Sequence, residues 1–191
     1  MPLQCTSFST ASKLLQHQAL SLYQTAFPQV EQIPFSYLKS RAKKENIDFF
    51  ILTDDEQFIG ITYLITKHQI TFILYLAINE KLRHHGYGSQ VLQSIKALNP
   101  SHSLVLTIEI VDNTYDNFEE RVNRKKFYLK NEFKCLPYNL TFSKTEKFEI
   151  LSTTSQISQA DLVELFKEFS TVLAPILFTL NLIKFESVDN L

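Results

Sequence analysis

Only three of the chain's 191 residues are glycine, and two of them, Gly86 and Gly88, flank a single residue between an apolar run and a helix-like run. That is a placed loop. Glycine lets the backbone take positive φ and approach a ligand closely, so the stretch LYLAINEKLRHHGYGSQV, Leu74 to Val91, constrains the fold more than any other. A helix beginning at Ser89 turns its unpaired N–H groups towards that loop, an arrangement that suits phosphate.

A chain of this length holds one well-buried domain and an appendage, but not two ordinary domains. With 45% hydrophobic and 20% charged residues it reads as globular, and a formal net charge of -1 gives no general attraction to nucleic acid or anionic membrane. Nucleic acid is therefore not an expected partner, and any phosphate binding must be local. Cys5 and Cys135 form no metal-ligand spacing and the five histidines are scattered, so no metal is expected. The opening MPLQCTSFSTASKL lacks the basic segment and apolar run of a secretory signal, which with the unclustered cysteines points to the cytoplasm.

Thr10 to Phe27 sets Leu14, Leu15, Leu22 and Phe27 near helical spacing, with Thr10 or Ser12 as cap and Pro28 as stop. Pro34 opens a second, short helix with Phe35, Leu38 and Ala42 on one face, breaking near Asn46. From Ile47 the period changes to two. Segments 48–52, 58–66 and 70–78 read as antiparallel strands joined by turns at Asp54 to Gln57 and Lys67 to Gln69. Gly60, inside the second, marks a bulge or a close backbone approach.

Gly88 to Leu98 reads as a helix burying Val91, Leu92, Ile95 and Leu98, and Leu104 to Ile110 as a central strand. Glu109 is that strand's anomaly: its carboxylate must face a cleft, a partner or water. Asn117 to Asn131 is a charged helix with Phe118, Val122 and Leu129 on its apolar side, and 133–142 and 148–153 are two last strands. Pro137 asks for an edge or a bulge in the first of these. Residues 1–155 make one domain, and 156–191 a C-terminal helical extension with the apolar run TVLAPILFTLNLI. That run is too short to span a membrane. It reads as a surface that docks on the domain or in a homodimer, or else attaches to a membrane surface.

Arg83-His84-His85-Gly86-Tyr87-Gly88 resembles the Arg/Gln-x-x-Gly-x-Gly/Ala signature of the GNAT acyltransferases, the GCN5-related N-acetyltransferases. The surroundings agree: Thr71 to Ile78 looks like the splayed fourth strand of that fold, and NRKKFYLKNEF, Asn123 to Phe133, like its fourth helix. The resemblance covers about residues 10 to 153 and implies an α/β fold with a central, mostly antiparallel mixed sheet flanked by helices. It also implies a V-shaped split between strands 4 and 5. Two departures stand out: Glu132 replaces the usual glycine before Phe133, and Arg121-x-x-Arg124 replaces an Asn-x-x-Ala.

What the resemblance implies is transfer of an acetyl group from acetyl-CoA to an amine, a small molecule or a peptide, in a ternary complex. The coenzyme's pyrophosphate would lie over Arg83, His84, His85, Gly86, Tyr87, Gly88 and Ser89, and its pantetheine along Leu76, Ala77 and Ile78, with an oxyanion met by a backbone N–H near Leu76. Asn117 is a further coenzyme contact in this reading. Glu109 would be the base, acting through water, or else a structural carboxylate paired with a cation. Tyr128 stands where the family has the phenol that protonates the departing thiolate, or else is a half-buried packing tyrosine. Glu31 and Gln32, between the first two helices, either read the acceptor or lie in a solvated loop.

Two other nucleotide readings fail on spacing. Gly86-x-Gly88 followed by Glu109 mimics a dinucleotide fingerprint, but Val91 stands where the third glycine belongs and Asn79 to His85 intervene where a tight turn is needed. No Gly-Lys-Ser/Thr marks a P-loop. The remaining alternative is a GNAT-like domain that binds acyl-CoA as a sensor or scaffold without turnover.

Overall fold

Ser12 starts the first helix, its hydroxyl accepting the N–H of Leu15 at 3.3 Å, while Thr10 donates back to the Ser7 carbonyl. The computed structural model describes residues 3–142, 146–177 and 183–187. Contacts divide the chain into two units, Met1–Thr66 with Ile73–His102 and Lys67–Phe72 with Ser103–Leu191.

In the first unit the helix, α1 (Lys13–Ala26), buries Ala19, Leu22 and Tyr23, the i, i+3, i+4 face of a helix. Leu14, expected on that stripe, is 70% exposed because the stripe starts a turn later. Helix α2 (Phe35–Arg41) begins directly after Pro34 and buries Leu38, but ends well short of Asn46. A strand outside the expected set, β1 (Gln4–Ser7), pairs antiparallel with β2 (Ile47–Asp54), and β3 (Gln57–Lys67) and β4 (Ile70–Ile78) follow. Strand order here is β1-β2-β3-β4, with β4 represented by its residues from Ile73 onward. Phe8 stacks on Phe49 at 4.6 Å, and Tyr23 meets Tyr75 edge-on at 5.1 Å, so aromatic rings fill the space between helices and strands.

Gly60 fulfils both of its expected roles. The β2–β3 register slips between Leu52 and Thr53, opposite it, and a Cβ at Gly60 would lie 2.2 Å from the Ala77 carbonyl oxygen. Beside it the Thr62 hydroxyl donates to the Tyr75 carbonyl at 3.0 Å, so β4 is held by side chain as well as backbone. Helix α3 (Tyr87–Leu98) then buries Val91, Leu92 and Ile95. Leu98, expected among them, is 46% exposed because the buried stripe ends before the helix does.

The second unit takes the opening of β4 and pairs it in parallel with β5 (Ser103–Glu109), Ile70 with Ser103 through Phe72 with Val105. The described parallel register ends there, whereas β5 goes on pairing with β7 (Glu146–Ser152) as far as Glu109 and Phe148. The described parallel pairing of β4 with β5 covers its first three residues. Order in this unit is β4-β5-β7-β6-β8, with β6 (Lys134–Phe142) antiparallel to both β7 and β8 (Ile183–Ser187). Pro137 sits where the β6–β7 register shifts, as the bulge reading expects, and the described pairing of β6 with β8 runs from Tyr138 to Phe142.

Two helices complete it. Helix α4 (Phe118–Lys130) packs on β5, and Leu129, expected on its apolar side, is 44% exposed because the half-buried stripe runs instead through Phe118, Val122, Lys125 and Tyr128. Helix α5 (Gln159–Leu177) buries Leu162, Leu165 and Phe166, with Phe166 5.1 Å from Phe72. The tail is not wholly helical as expected: the helix passes Pro175, and β8 follows, where Ile183 and Phe185 alternate with Lys184 and Glu186 in the sequence. Of the apolar run TVLAPILFTLNLI, residues 178–182 lie outside the described part.

Because a Cβ at position 60 meets backbone, which cannot swing aside, Gly60→Ala should cost about 1–3 kcal/mol. Thermal denaturation should show a drop of several degrees, and an unchanged midpoint would contradict this account of β4.

Candidate active site

Strand β4 ends at Ile78, and one helical turn, Glu80–Leu82, capped by the Asn79 side chain, carries the chain into the glycine loop. His84 takes φ +65 and Gly86 φ +83, so two left-handed residues bend the loop within three positions. Gly86 is the N-cap of α3, which begins at Tyr87 and not, as expected, after Gly88. Consequently Tyr87, Gly88 and Ser89 are the first helical turn. The first pairing inside the helix is Gln90 N–H to Gly86 O at 3.2 Å, which leaves the preceding N–H groups to a ligand or solvent. Left-handed turns of this kind gather N–H groups into an anion-binding concavity, and the helix dipole adds about 0.3–1 kcal/mol per nearby charge.

The side chains around this cradle differ in freedom. Arg83, His84 and His85 are exposed, with His85 Nδ1 2.7 Å from the Arg83 carbonyl. Tyr87 is anchored: its hydroxyl donates to Asp54 Oδ2 at 3.0 Å, and that hydrogen bond, with a minor contribution from burial and the charges of Asp54 and Asp55, raises its pKa. The anchor ties the loop to the turn after β2. On β4, Ala77 is buried, whereas Leu76 and Ile78 are half-buried on the opposite face.

In the second unit Glu109 is the last residue of β5 and Arg124 of α4 donates to its Oε2. The Glu109 side chain is 19% exposed and that of Arg124 41%. Burial pushes the carboxyl up, but the hydrogen bond and charge of Arg124, with a lesser share from Arg121, outweigh it and hold Glu109 below the ordinary carboxylate range. Tyr128, one turn beyond Arg124, is half-buried; burial pushes its phenol up to about 12, against the pull of Arg124 and with a push from Glu109. Its hydroxyl has no hydrogen-bond partner among the described residues.

The end of α4 fixes Tyr128. Phe133 N–H donates to Tyr128 O at 3.1 Å and Glu132 N–H to Leu129 O at 3.2 Å, the two bonds of a Schellman cap, and the rings of Tyr128 and Phe133 meet at 5.6 Å. Glu132 supplies the left-handed residue at φ +67. So the turn usually given to glycine forms without one.

Other expected residues are already engaged. Asn117 Oδ1 accepts the Arg121 Nε–H at 2.8 Å, while Arg121 Nη1 donates to Ile110 O at 2.9 Å and its guanidinium lies 3.8 Å over Tyr115. Gln32 donates to the carbonyls of Gln24 and Phe27 at the end of α1, which is a structural duty. The Glu31 carbonyl accepts the Tyr75 hydroxyl at 2.6 Å. The roles of Arg124 and Tyr75 were not read from the sequence; the spacing Arg124-x-x-x-Tyr128 sets the arginine on the helical face of Tyr128 but does not name Glu109 as its partner.

A family model described as an acetyltransferase (GNAT) domain matches residues 45–135. Among solved structures, a Bacteroides thetaiotaomicron protein assigned to the GNAT family of acetyltransferases superposes with TM-score 0.68 at 19% identity, over 90% of this chain and 97% of its own. An aminoglycoside 6'-N-acetyltransferase complexed with coenzyme A gives 0.62 at 12%, over 81% and 98%. Arabidopsis thaliana Naa50 in complex with the bisubstrate analogue CoA-Ac-MVNAL gives 0.56 at 14%, over 81% and 99%. Comparison with curated protein sequences gives no match.

Two outcomes follow from the geometry. Glu132→Gly should raise stability by about 0.5–1 kcal/mol by removing the left-handed strain, read as a higher melting temperature. A carboxyl held low in the folded state stabilises above its unfolded pKa and loses that contribution as pH falls through the folded value. The melting-temperature gap between wild type and Glu109→Gln should therefore be widest near neutrality and narrow below about pH 4; a gap constant with pH refutes the ion-pair account.

Proposed function

We propose, from the match of residues 45–135 to an acetyltransferase (GNAT) domain model, that the chain is an N-acetyltransferase that moves the acetyl group of acetyl-CoA to a primary amine by direct attack in a ternary complex. The observation that carries this reading is the left-handed Gly86 cap, which leaves the N–H groups at the start of α3 unpaired at the end of the loop that follows β4. These N–H groups, with Arg83, would hold the coenzyme's pyrophosphate. Backbone of Leu76, Ala77 and Ile78 would pair with its pantetheine.

The chemistry needs two proton movements. An alkyl ammonium with pKa about 10.4 has to lose a proton before its nitrogen attacks, and Glu109, kept ionised by Arg124, would take it through water. The N–C bond forms, the thioester carbonyl becomes an oxyanion met by a backbone N–H near Leu76, and the C–S bond then breaks. Tyr128 would donate its proton to the departing thiolate and recover one from solvent. It arrives fully protonated, although transfer from a phenol at about 12 to a thiolate near 8.5 runs uphill unless the phenolate is stabilised.

The acceptor is an amine on a small molecule or a peptide, the classes named for the aminoglycoside enzyme and for Naa50. We read residues 1–155 as the transfer domain and 156–191 as its extension, with a second copy of the chain as a possible partner surface. Free Cys5 and Cys135 support a cytoplasmic setting, and no described helix is long and apolar enough to cross a membrane.

Turnover is tested with a panel of amines, reading free thiol from acetyl-CoA. Tyr128→Phe should lower kcat by roughly 100-fold or more while leaving acetyl-CoA affinity within about twofold. Wild-type protein that binds acetyl-CoA but releases no thiol with any amine contradicts the enzyme and favours a sensor or scaffold.

A further inference from the structure

Helix α4 carries a basic run, and its cations have separate duties. Arg121 is spent on Asn117, the Ile110 carbonyl and the Tyr115 ring. Lys125 Nζ lies 2.6 Å from Glu149 Oε2 of β7, whose other neighbour is the Cys135 thiol of β6. Arg124 alone among the described cations bonds the Glu109 carboxylate, and it stands one helical turn before Tyr128, on the same face. Of two groups that would move protons in opposite directions, one is bonded to this guanidinium and the other lies one helical turn away, within the influence of its charge.

Resting on the transfer reading above, we propose that Arg124 is the positioning residue that couples the two: its guanidinium keeps Glu109 ionised to receive the amine's proton and stabilises the phenolate that Tyr128 becomes as its proton passes to the thiolate. The argument is electrostatic. A phenolate forming beside an unpaired carboxylate meets like charge; a phenolate forming beside a carboxylate already paired with a cation does not. The charges of Arg124 and Glu109 act on Tyr128 with opposite signs, as this arrangement demands. Arg121 adds a smaller favourable charge at Glu109, while Lys125 and Glu149 neutralise one another. The Arg124-x-x-x-Tyr128 spacing thus supplies what a half-buried phenol lacks, a partner for its conjugate base.

The test uses the full chain as wild type, Arg124→Gln, Arg124→Lys, Glu109→Gln and the double variant Arg124→Gln with Glu109→Gln, each first checked for folding by thermal melt. Carboxyl carbon NMR on glutamate-labelled protein, with Glu109→Gln assigning the resonance, reads the Glu109 titration without any acceptor. Its midpoint should rise in Arg124→Gln and return towards wild type in Arg124→Lys; Arg124→Ala, read in the same way, serves if the glutamine variant fails to fold. With acetyl-CoA and an amine, Arg124→Gln should lower kcat roughly 10- to 100-fold with little change in the coenzyme's KM. The double variant should lose less than the product of the single losses, because removing the carboxylate removes the like charge. An unmoved midpoint, or a moved midpoint with wild-type turnover, overturns the proposal and leaves the transfer reading standing. Wild-type protein that binds coenzyme but acetylates no amine overturns the transfer reading and, with it, the positioning role given to Arg124.

Discussion

The left-handed backbone at Gly86 is the constraint on which the functional reading depends. A residue with a Cβ pays for that conformation, and only through it does the chain turn from the loop into α3 with its first N–H groups unpaired. The loop is braced from both sides. Behind it, Asn79 N–H bonds the Ile59 carbonyl at 2.8 Å and Gly60 lets β4 come close; ahead of it, the Tyr87 hydroxyl reaches Asp54. Under the proposed function, a cradle of main-chain donors gains most when it is ordered before the anion arrives, and these contacts would contribute to that.

The first unit shows how an aromatic core links distant pieces of chain. Tyr75 projects from β4 to donate to the Glu31 carbonyl and accept the Ile33 N–H at 3.3 Å, while Tyr23 donates to the Ile33 carbonyl at 2.8 Å. The connection between α1 and α2 is thereby tied to the strand whose next residue is Leu76. Buried phenols can do this because a ring fills the core and its hydroxyl satisfies backbone groups that would otherwise be desolvated.

Periodic segments were legible in the sequence and short or tertiary ones were not. Strands β3 and β4 and helix α3 appear within a residue or two of their expected bounds, because alternation and a buried helical stripe are local signals. Strand β1 is four residues, QCTS, with no alternation to detect, and β8 lies at the end of an apolar run that hides its period of two. Glu132 stands in the sequence where glycine is usual, yet it takes the left-handed turn itself, since the Schellman bonds and the Tyr128–Phe133 contact offset its strain. At Glu109 the sequence showed a carboxylate needing a partner; which cation answers it depends on how α4 lies on β5, and no spacing states that.

The claim that the N–H groups at the start of α3 bind a nucleotide diphosphate is tested most directly by calorimetry comparing acetyl-CoA with S-acetyl-pantetheine, which keeps the thioester and lacks the diphosphate and nucleotide. The account predicts that acetyl-CoA binds at least about 100-fold more tightly, from the charge-assisted bonds of the cradle. Equal affinities, or no heat with acetyl-CoA at millimolar concentration, would contradict it.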